Sequence, residues 1–159
     1  MHTVELLLDA ALDDRVRAVW HDLAARGLRS LASHRHPTNR PHLTLATADA
    51  LSPGVGPALE GLPIEVELDD VVFLGRTVAW RVRPTAELQS MQRAVWEALD
   101  GRERNPLHDP RSWVPHVSLA LRVEPEVHEL YPRGLGGAAG RLVEARTYDS
   151  ETRTVSTLA

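Results

Sequence analysis

Apolar and polar positions follow the same two patterns in both halves of the chain. Strand-like runs cover residues 3–8 and 77–82, and a stretch with apolar residues at helical spacing follows each run. Gly27 and Gly101 come after these stretches, and glycine is common just past a helix end. We therefore expect each half to open with a strand and a helix. The helical apolar positions are Leu12, Val16, Val19, Trp20 and Leu23 in the first half and Leu88, Met91, Val95 and Leu99 in the second.

Each predicted helix is followed by a short apolar segment that contains a histidine and, two residues later, a hydroxyl residue. The segments are Pro41-His42-Leu43-Thr44-Leu45-Ala46 and Pro115-His116-Val117-Ser118-Leu119-Ala120. In a strand, residues two apart point to the same face of the sheet. The histidine and hydroxyl of each segment would therefore share one face, with the leucine and valine side chains packed in the core behind them.

The order and spacing of these elements predict an internal repeat. Arg17-Ala18-Val19-Trp20 precedes the first histidine segment much as Arg93-Ala94-Val95-Trp96 precedes the second. We expect one domain over residues 1–159, with two pseudo-symmetric lobes whose repeat units are roughly 3–48 and 77–122. Residues 52–63, rich in proline and glycine, are predicted as a loop between the halves, and residues 133–140 as a flexible connection before the final strands.

Composition limits the class of protein and the catalytic groups that are available to it. The chain has 159 residues with 43% hydrophobic content, which is enough for one compact core. It has no cysteine, no apolar run of membrane length and no signal-like segment at Met1, so we expect a cytoplasmic protein without a membrane partner. All 18 basic residues are arginines, which excludes a P-loop lysine and a Schiff-base lysine.

Charge distribution favours a small anionic ligand over a long one. The formal net charge of −4 argues against binding along duplex DNA. Residues 23–48, however, contain arginines and histidines but no carboxylate. Arg40, two residues before His42, and Arg122, six after His116, would lie on the histidine face of regular strands. We take these two, with Arg35 and His36, as candidate substrate-binding residues.

Two histidines facing one cleft can perform acid–base chemistry on a phosphate. Histidine has an unperturbed pKa of about 6.5, so near neutral pH one ring can accept a proton while the other donates one. Thr44 and Ser118 would hydrogen-bond the phosphoryl oxygens. This scheme needs no metal and no cofactor, and it leaves open which histidine is the acid. A metal site formed by His34, His36 and His42 is the alternative, because imidazole is a good zinc ligand.

Paired His-x-Thr/Ser motifs in two strand–helix–strand units resemble the 2H phosphoesterase superfamily, in particular bacterial RNA 2′,3′-cyclic phosphodiesterases, also called 2′-5′ RNA ligases. The resemblance implies a duplicated, bilobal α+β fold in which two antiparallel sheets with flanking helices surround a central cleft. It also implies metal-independent opening of a 2′,3′-cyclic phosphate to a 2′-phosphate, with 2′-5′ ligation as the reverse reaction. The implied catalytic residues are His42, Thr44, His116 and Ser118.

The chain departs from this resemblance at one position. Many relatives place an arginine five residues after the second histidine, where this chain has Leu121 followed by Arg122. Relative to the arginine of those relatives, a one-residue shift reverses the face of a strand, so in their geometry Arg122 would reach the phosphate only across a bulge. The expected partner is an RNA terminus or small nucleotide with a cyclic phosphate, bound by a monomer. A non-catalytic nucleotide or RNA-end binding protein that uses the same cleft is the alternative.

Overall fold

Each predicted helix begins at a polar side chain that caps its first turn. In the computed structural model, which describes residues 1–159, the Asp9 carboxylate accepts a backbone hydrogen bond at the start of α1 (Ala10–Ala25). The Thr85 hydroxyl does the same for α3 (Ala86–Ala98). Such side chains satisfy backbone N–H groups that have no partner within the helix. The sequence therefore specifies where both helices start.

The apolar stripes of α1 and α3 face the core, as predicted. Every apolar position named for the two helices is buried. Gly27 and Gly101 lie just beyond the helix ends with φ of 77° and 80°, a conformation that glycine adopts without a steric penalty. No helix of the protein is long and apolar enough to cross a membrane.

Seven strands form the sheet. They are β1 His2–Leu8, β2 His42–Ala48, β3 Ile64–Leu74, β4 Thr77–Val82, β5 His116–Ala120, β6 Gly134–Asp149 and β7 Thr154–Thr157. They make one antiparallel sheet in the order β1-β2-β5-β4-β3-β6-β7, with a further pairing between β1 and β6. The predicted strands at 3–8 and 77–82 are present as β1 and β4, and both histidine segments are strands.

One continuous sheet replaces the two separate sheets that the sequence analysis expected. The strands of the two halves meet directly, because β2 and β5 pair at Leu43 and Val117. The long strand β6 joins the halves a second time, since it pairs with β3 over Gly134–Leu142 and with β1 over Leu142–Asp149. The mixed α+β class is as expected.

The predicted flexible connection at 133–140 is wrong, because these residues begin β6. Val66 pairs with Gly140 and Glu67 with Ala139. The glycines serve a packing purpose here: a Cβ on Gly140 would lie 2.6 Å from Asp9 Oδ2 and 2.9 Å from Leu12 Cβ. Small residues in this strand therefore let the start of α1 approach the sheet closely.

The order strand–helix–strand occurs twice, over β1-α1-β2 and β4-α3-β5. Between them lie residues 52–63, predicted as a loop, which contain one short helix, α2 (Val55–Ala58), and the strand β3 follows. Single 3₁₀ turns cover Leu31–Ser33, Pro106–His108 and Pro125–Leu130. Descent of the halves from one repeated unit stays a prediction from the sequence.

Gly140→Ala is expected to destabilise the protein by about 1–3 kcal/mol, because the new methyl group collides with the cap and first turn of α1. Gly137→Ala is the matched control in the same strand, where a Cβ has no neighbour closer than 3.7 Å. Urea denaturation of the three proteins checks this. Equal midpoints for the two variants would contradict the close approach at Gly140.

Candidate functional site

The two histidine motifs lie on the neighbouring strands β2 and β5, where the two halves of the chain meet in the sheet. Leu43 is directly opposite Val117 in antiparallel pairing. His42 therefore lies across from Ser118, and Thr44 lies across from His116, at a spacing of about 5 Å between paired positions. The fold thus brings the four predicted catalytic residues together on one face.

Burial along both strands follows the predicted alternation. Leu43, Leu45, Val117 and Leu119 are buried, while the histidines and hydroxyl residues between them are only half-buried. The hydroxyl groups of Thr44 and Ser118 make no hydrogen bond within the protein. They are therefore free to bond a substrate on the open face.

Both imidazoles are anchored in the same way. His42 Nδ1 lies 2.7 Å from the Arg40 carbonyl oxygen, and His116 Nδ1 lies 2.7 Å from the Val114 carbonyl oxygen. A carbonyl only accepts, so each Nδ1 carries the hydrogen and each Nε2 is the nitrogen available for proton transfer. A proline separates donor and acceptor in both motifs and restricts the backbone there.

The backbone carbonyls beside this junction receive hydrogen bonds from side chains. The Trp20 indole N–H donates to the Ser118 carbonyl at 3.0 Å, and the Trp113 indole N–H donates to the Thr44 carbonyl at 3.1 Å. The buried Gln92 amide on α3 donates to the Leu45 carbonyl at 3.1 Å. These donors fix both motif strands where the ladder between them is short.

A buried ion pair lies beside His42. Glu5 Oε2 accepts from Arg146 Nε at 2.8 Å, and Arg146 Nη2 also donates to the Thr38 carbonyl at 2.8 Å. Only 3% of Glu5 and 6% of Arg146 are exposed, so the pair is nearly desolvated. The second carboxylate oxygen, Glu5 Oε1, accepts from the Thr3 hydroxyl and lies 3.6 Å from His42 Nε2.

The second half has no counterpart of this carboxylate. Glu5 is paired with Thr44 in the sheet, whereas the residue paired with Ser118 is Ala79. His116 instead pairs with Arg81, whose guanidinium is held by Asp69 at 2.7 and 2.9 Å. The two histidines therefore have similar anchors and different electrostatic surroundings.

The surroundings of His116 favour its neutral form. Burial lowers the pKa of His116, and the nearby charge of His42 lowers it further, while the hydrogen bond to the Val114 carbonyl acts in the opposite sense. The neighbouring His108 has its pKa lowered to about 4, mainly by burial and also by the charge of His116. His108 is thus uncharged at neutral pH, and a neutral His116 can accept a proton.

Two cavities of different character flank the histidines. One, of about 350 Å³, is lined by His42, Glu5, Arg146, Tyr148 and Arg153 among others. The other, of about 300 Å³, is lined by His116, His108, Trp113, Leu74 and Leu107 among others. Both lie in the size range of small-molecule sites. A larger cavity of about 560 Å³, near Asp9 and Arg83, contains neither histidine motif.

The four candidate substrate-binding residues lie in different places. His36 lines the cavity beside His42, with its Nδ1 2.7 Å from the Thr38 hydroxyl. Arg40 turns towards α1, where its Nε is 3.9 Å from Asp13 Oδ2. Arg35 is exposed and makes no side-chain hydrogen bond or ion pair.

Arg122 does not lie in the cavity beside His42. Its φ is 57°, and it lines a separate cavity with Tyr131. The preceding residue, Leu121, lines the cavity beside His42. The register of β5 does shift at its end, where Ser118 pairs with Ala79 and Ala120 with Val78, yet the chain leaves the strand after Ala120 and Arg122 stays outside the cavity beside His42. The sequence analysis expected Arg122 to line the cleft with the histidines, and the structure places it in the separate cavity beside Tyr131 instead.

Sequence reasoning missed Glu5, Arg146, Tyr148 and Arg153. Glu5 gave one usable signal, because it is a lone carboxylate inside the apolar run of β1. The other three lie more than 100 residues after His42 in sequence, in or just after β6. No local pattern relates them to His42.

No group of three or more histidine, cysteine, aspartate or glutamate side chains is arranged to hold a metal ion. His34, His36 and His42 accordingly do not form the three-ligand site considered as an alternative. His34 is exposed, and His36 is bonded to Thr38.

A family model described as the 2′-5′ RNA ligase superfamily matches residues 12–134, which include both histidine motifs. The chain belongs to the 2′-5′ RNA ligase superfamily. The proposed resemblance to 2H phosphoesterases is thereby confirmed at the level of the family. No curated protein matches the sequence significantly.

Solved structures place this superfamily member among similar folds. The MHV ns2 PDE domain has a TM-score of 0.61 at 15% identity, covering 99% of this chain and 98% of that one. A structure described as a phosphoesterase has a TM-score of 0.60 at 19% identity, covering 98% and 92%. E. coli LigT complexed with NADP⁺ has a TM-score of 0.58 at 20% identity, covering 99% and 94%. At these identities the likeness concerns the fold alone.

Glu5→Gln is expected to destabilise the protein by about 3 kcal/mol, because it leaves the buried Arg146 guanidinium without its counter-charge. Glu67→Gln is the matched control, since it breaks an exposed pair with Arg83 and should cost about 1 kcal/mol or less. Chemical denaturation at neutral pH measures both. The double variant Glu5→Leu/Arg146→Met should recover most of the loss, and equal losses for the two single variants would refute the role of burial.

Proposed function

We propose that this protein is a metal-independent phosphodiesterase that opens 2′,3′-cyclic phosphates on RNA ends or nucleotides. The product is the 2′-phosphate, and 2′-5′ ligation is the reverse reaction through the same groups. One observation carries the proposal. Two imidazoles, each fixed through Nδ1, flank two unpaired hydroxyls on adjacent strands, so that both Nε2 atoms and both hydroxyls lie on one face.

The unequal surroundings of the histidines favour a division of labour. Neutral His116 takes a proton from water through Nε2 as the water oxygen attacks phosphorus. The bond between phosphorus and the 3′ oxygen breaks, and protonated His42 donates its Nε2 proton to that oxygen. The Glu5 carboxylate, 3.6 Å away, attracts a proton on this nitrogen. Proton exchange with solvent then restores both rings.

Thr44 and Ser118 complete the site. In the proposed complex their hydroxyls donate to the two non-bridging phosphoryl oxygens, where negative charge grows during attack. A fixed donor stabilises that charge without reorganising when the reaction occurs. The motif spacing supports this role, because each hydroxyl lies across the junction from the histidine of the other strand.

Relatives of similar fold support a nucleotide substrate. Structures of E. coli LigT have been solved as complexes with 3′-AMP, NADP⁺ and ATP. For this chain we accordingly propose a nucleotide or an RNA terminus as the ligand. The four proposed catalytic residues come from a single chain, so we propose that the monomer is active.

His42→Ala and His116→Ala are each expected to lower kcat by about 100-fold or more, because each removes one partner of the proton transfer. His21→Ala on the exposed side of α1 is the control and should keep full activity. Phosphorus NMR of 2′,3′-cyclic AMP with excess EDTA follows the reaction and identifies the 2′-phosphate.

Full activity in either histidine variant would refute the paired mechanism. Saturable binding of the cyclic nucleotide without turnover of any cyclic phosphate would instead identify the protein as a nucleotide or RNA-end sensor. Circular dichroism spectra that match the wild type exclude misfolding as the cause of lost activity.

The rate is expected to depend on pH with a bell shape. Activity should rise as His116 loses its proton, and because its pKa is lowered, the midpoint of this acidic limb should lie below about 6.5. Activity should fall at higher pH as the group that protonates the leaving oxygen loses its proton. Because the two histidines interact, the two apparent pKa values of the profile belong to the pair and not to one residue each. Measuring kcat/KM from pH 4 to 9 tests this, and an acidic midpoint above that of free histidine would contradict the assignment of His116 as the base.

A further inference from the structure

Arg153 is held in an unusual backbone conformation beside the proposed active site. It is the last residue of the turn between β6 and β7, and its φ is 57°. Residues with a side chain adopt this left-handed conformation at a cost of about 1 kcal/mol. The turn places the Arg153 side chain at the wall of the cavity that His42 also lines.

The charge of Arg153 has no partner within the protein. Its guanidinium makes no ion pair and no hydrogen bond. Glu5 is the only acidic residue that lines the cavity, and its charge is already offset by Arg146 at 2.8 Å. The rest of the lining contains no further carboxylate. The cavity that His42 lines therefore also presents a permanent, unpaired positive charge.

The cavity on the other side of the histidines has different chemistry. It is lined by apolar and aromatic side chains, including Leu74, Leu107 and Trp113, and by His108, which is uncharged at neutral pH. A ligand that spans the cleft would therefore meet a cationic wall beside His42 and an apolar wall beside His116. The site therefore distinguishes the charged end of a ligand from its apolar end.

We propose that the cavity lined by His42 and Arg153 is a second anion subsite, which binds a phosphoryl group other than the one that reacts. This inference rests on the proposed function. On a nucleoside 2′,3′-cyclic phosphate, the nearest further phosphoryl group is the one on the 5′ oxygen. The substrate class is thus a cyclic phosphate that also carries a 5′-phosphate, as a free monoester or as the diester link to the next nucleotide of an RNA chain.

Three substrates distinguish these forms. They are adenosine 2′,3′-cyclic phosphate, its 5′-phosphorylated derivative, and the dinucleotide with the same cyclic end. We expect kcat/KM to be about 10-fold or more higher for at least one of the phosphorylated substrates, as a charge-assisted hydrogen bond allows. A preference for the monoester indicates nucleotides, and a preference for the diester indicates RNA ends.

Variants at position 153 assign the preference to the guanidinium. Arg153→Gln removes the charge, and Arg153→Gly removes the side chain while relieving the left-handed backbone, so a loss in both cannot come from a strained turn. Both should abolish the ratio between phosphorylated and unphosphorylated substrates, and Arg153→Lys should keep part of it. Arg122→Gln is the matched control: Arg122 is also exposed, unpaired and at φ 57°, but lines a different cavity. It should leave the ratio unchanged.

Binding separates this inference from the proposed function. The ratio of Kd for adenosine 2′-phosphate to that for adenosine 2′,5′-bisphosphate needs no turnover and should also be about 10 or more. If the protein turned over no cyclic phosphate but still showed this Arg153-dependent ratio of Kd values, the proposed function would be overturned and the subsite would stand. Equal kcat/KM and equal Kd for the paired ligands in the wild type, or ratios that survive Arg153→Gly, would overturn the subsite.

Discussion

The short junction between β2 and β5 is the constraint on which the site depends. The backbones of the two strands pair only at Leu43 and Val117, and indole and amide side chains supply further donors to nearby carbonyls. If the backbones paired over a longer stretch, their own hydrogen bonds would hold the two strands together without these side chains. With this arrangement the two strands stay adjacent while their histidine face stays open, because tryptophans and a glutamine from outside the two strands hold them.

The proposed function depends as much on the difference between the halves as on their similarity. The two motifs anchor their histidines alike, yet only His42 faces a carboxylate, and only the cavity beside His42 has a free guanidinium. Acid–base catalysis needs one proton donor and one acceptor, so two equivalent histidines would have to be made unequal by the substrate. Here Glu5 and the burial of His116 supply the inequality before a substrate binds.

Much of the fold could be predicted from local patterns because those patterns have local causes. Helical spacing, polar caps and terminal glycines located α1 and α3, and alternation located both histidine strands. Predictions failed where long-range pairing prevailed. The glycine-rich residues 133–140 have no strand propensity, but the partner strand β3 and the close approach of α1 make them the beginning of β6. The single sheet likewise follows from pairings across the whole chain.

The sequence by itself determined the two His-x-hydroxyl motifs and the face on which they lie, because the period of a strand fixes side-chain direction without reference to distant residues. Only the tertiary structure decided which charged groups surround them. Glu5 and Arg146 are 141 positions apart in sequence and meet through the pairing of β1 with β6. Arg153 reaches the cavity through the conformation of one turn, and Arg122 is excluded from it by another. Such neighbours depend on register and chain direction, which no local pattern encodes.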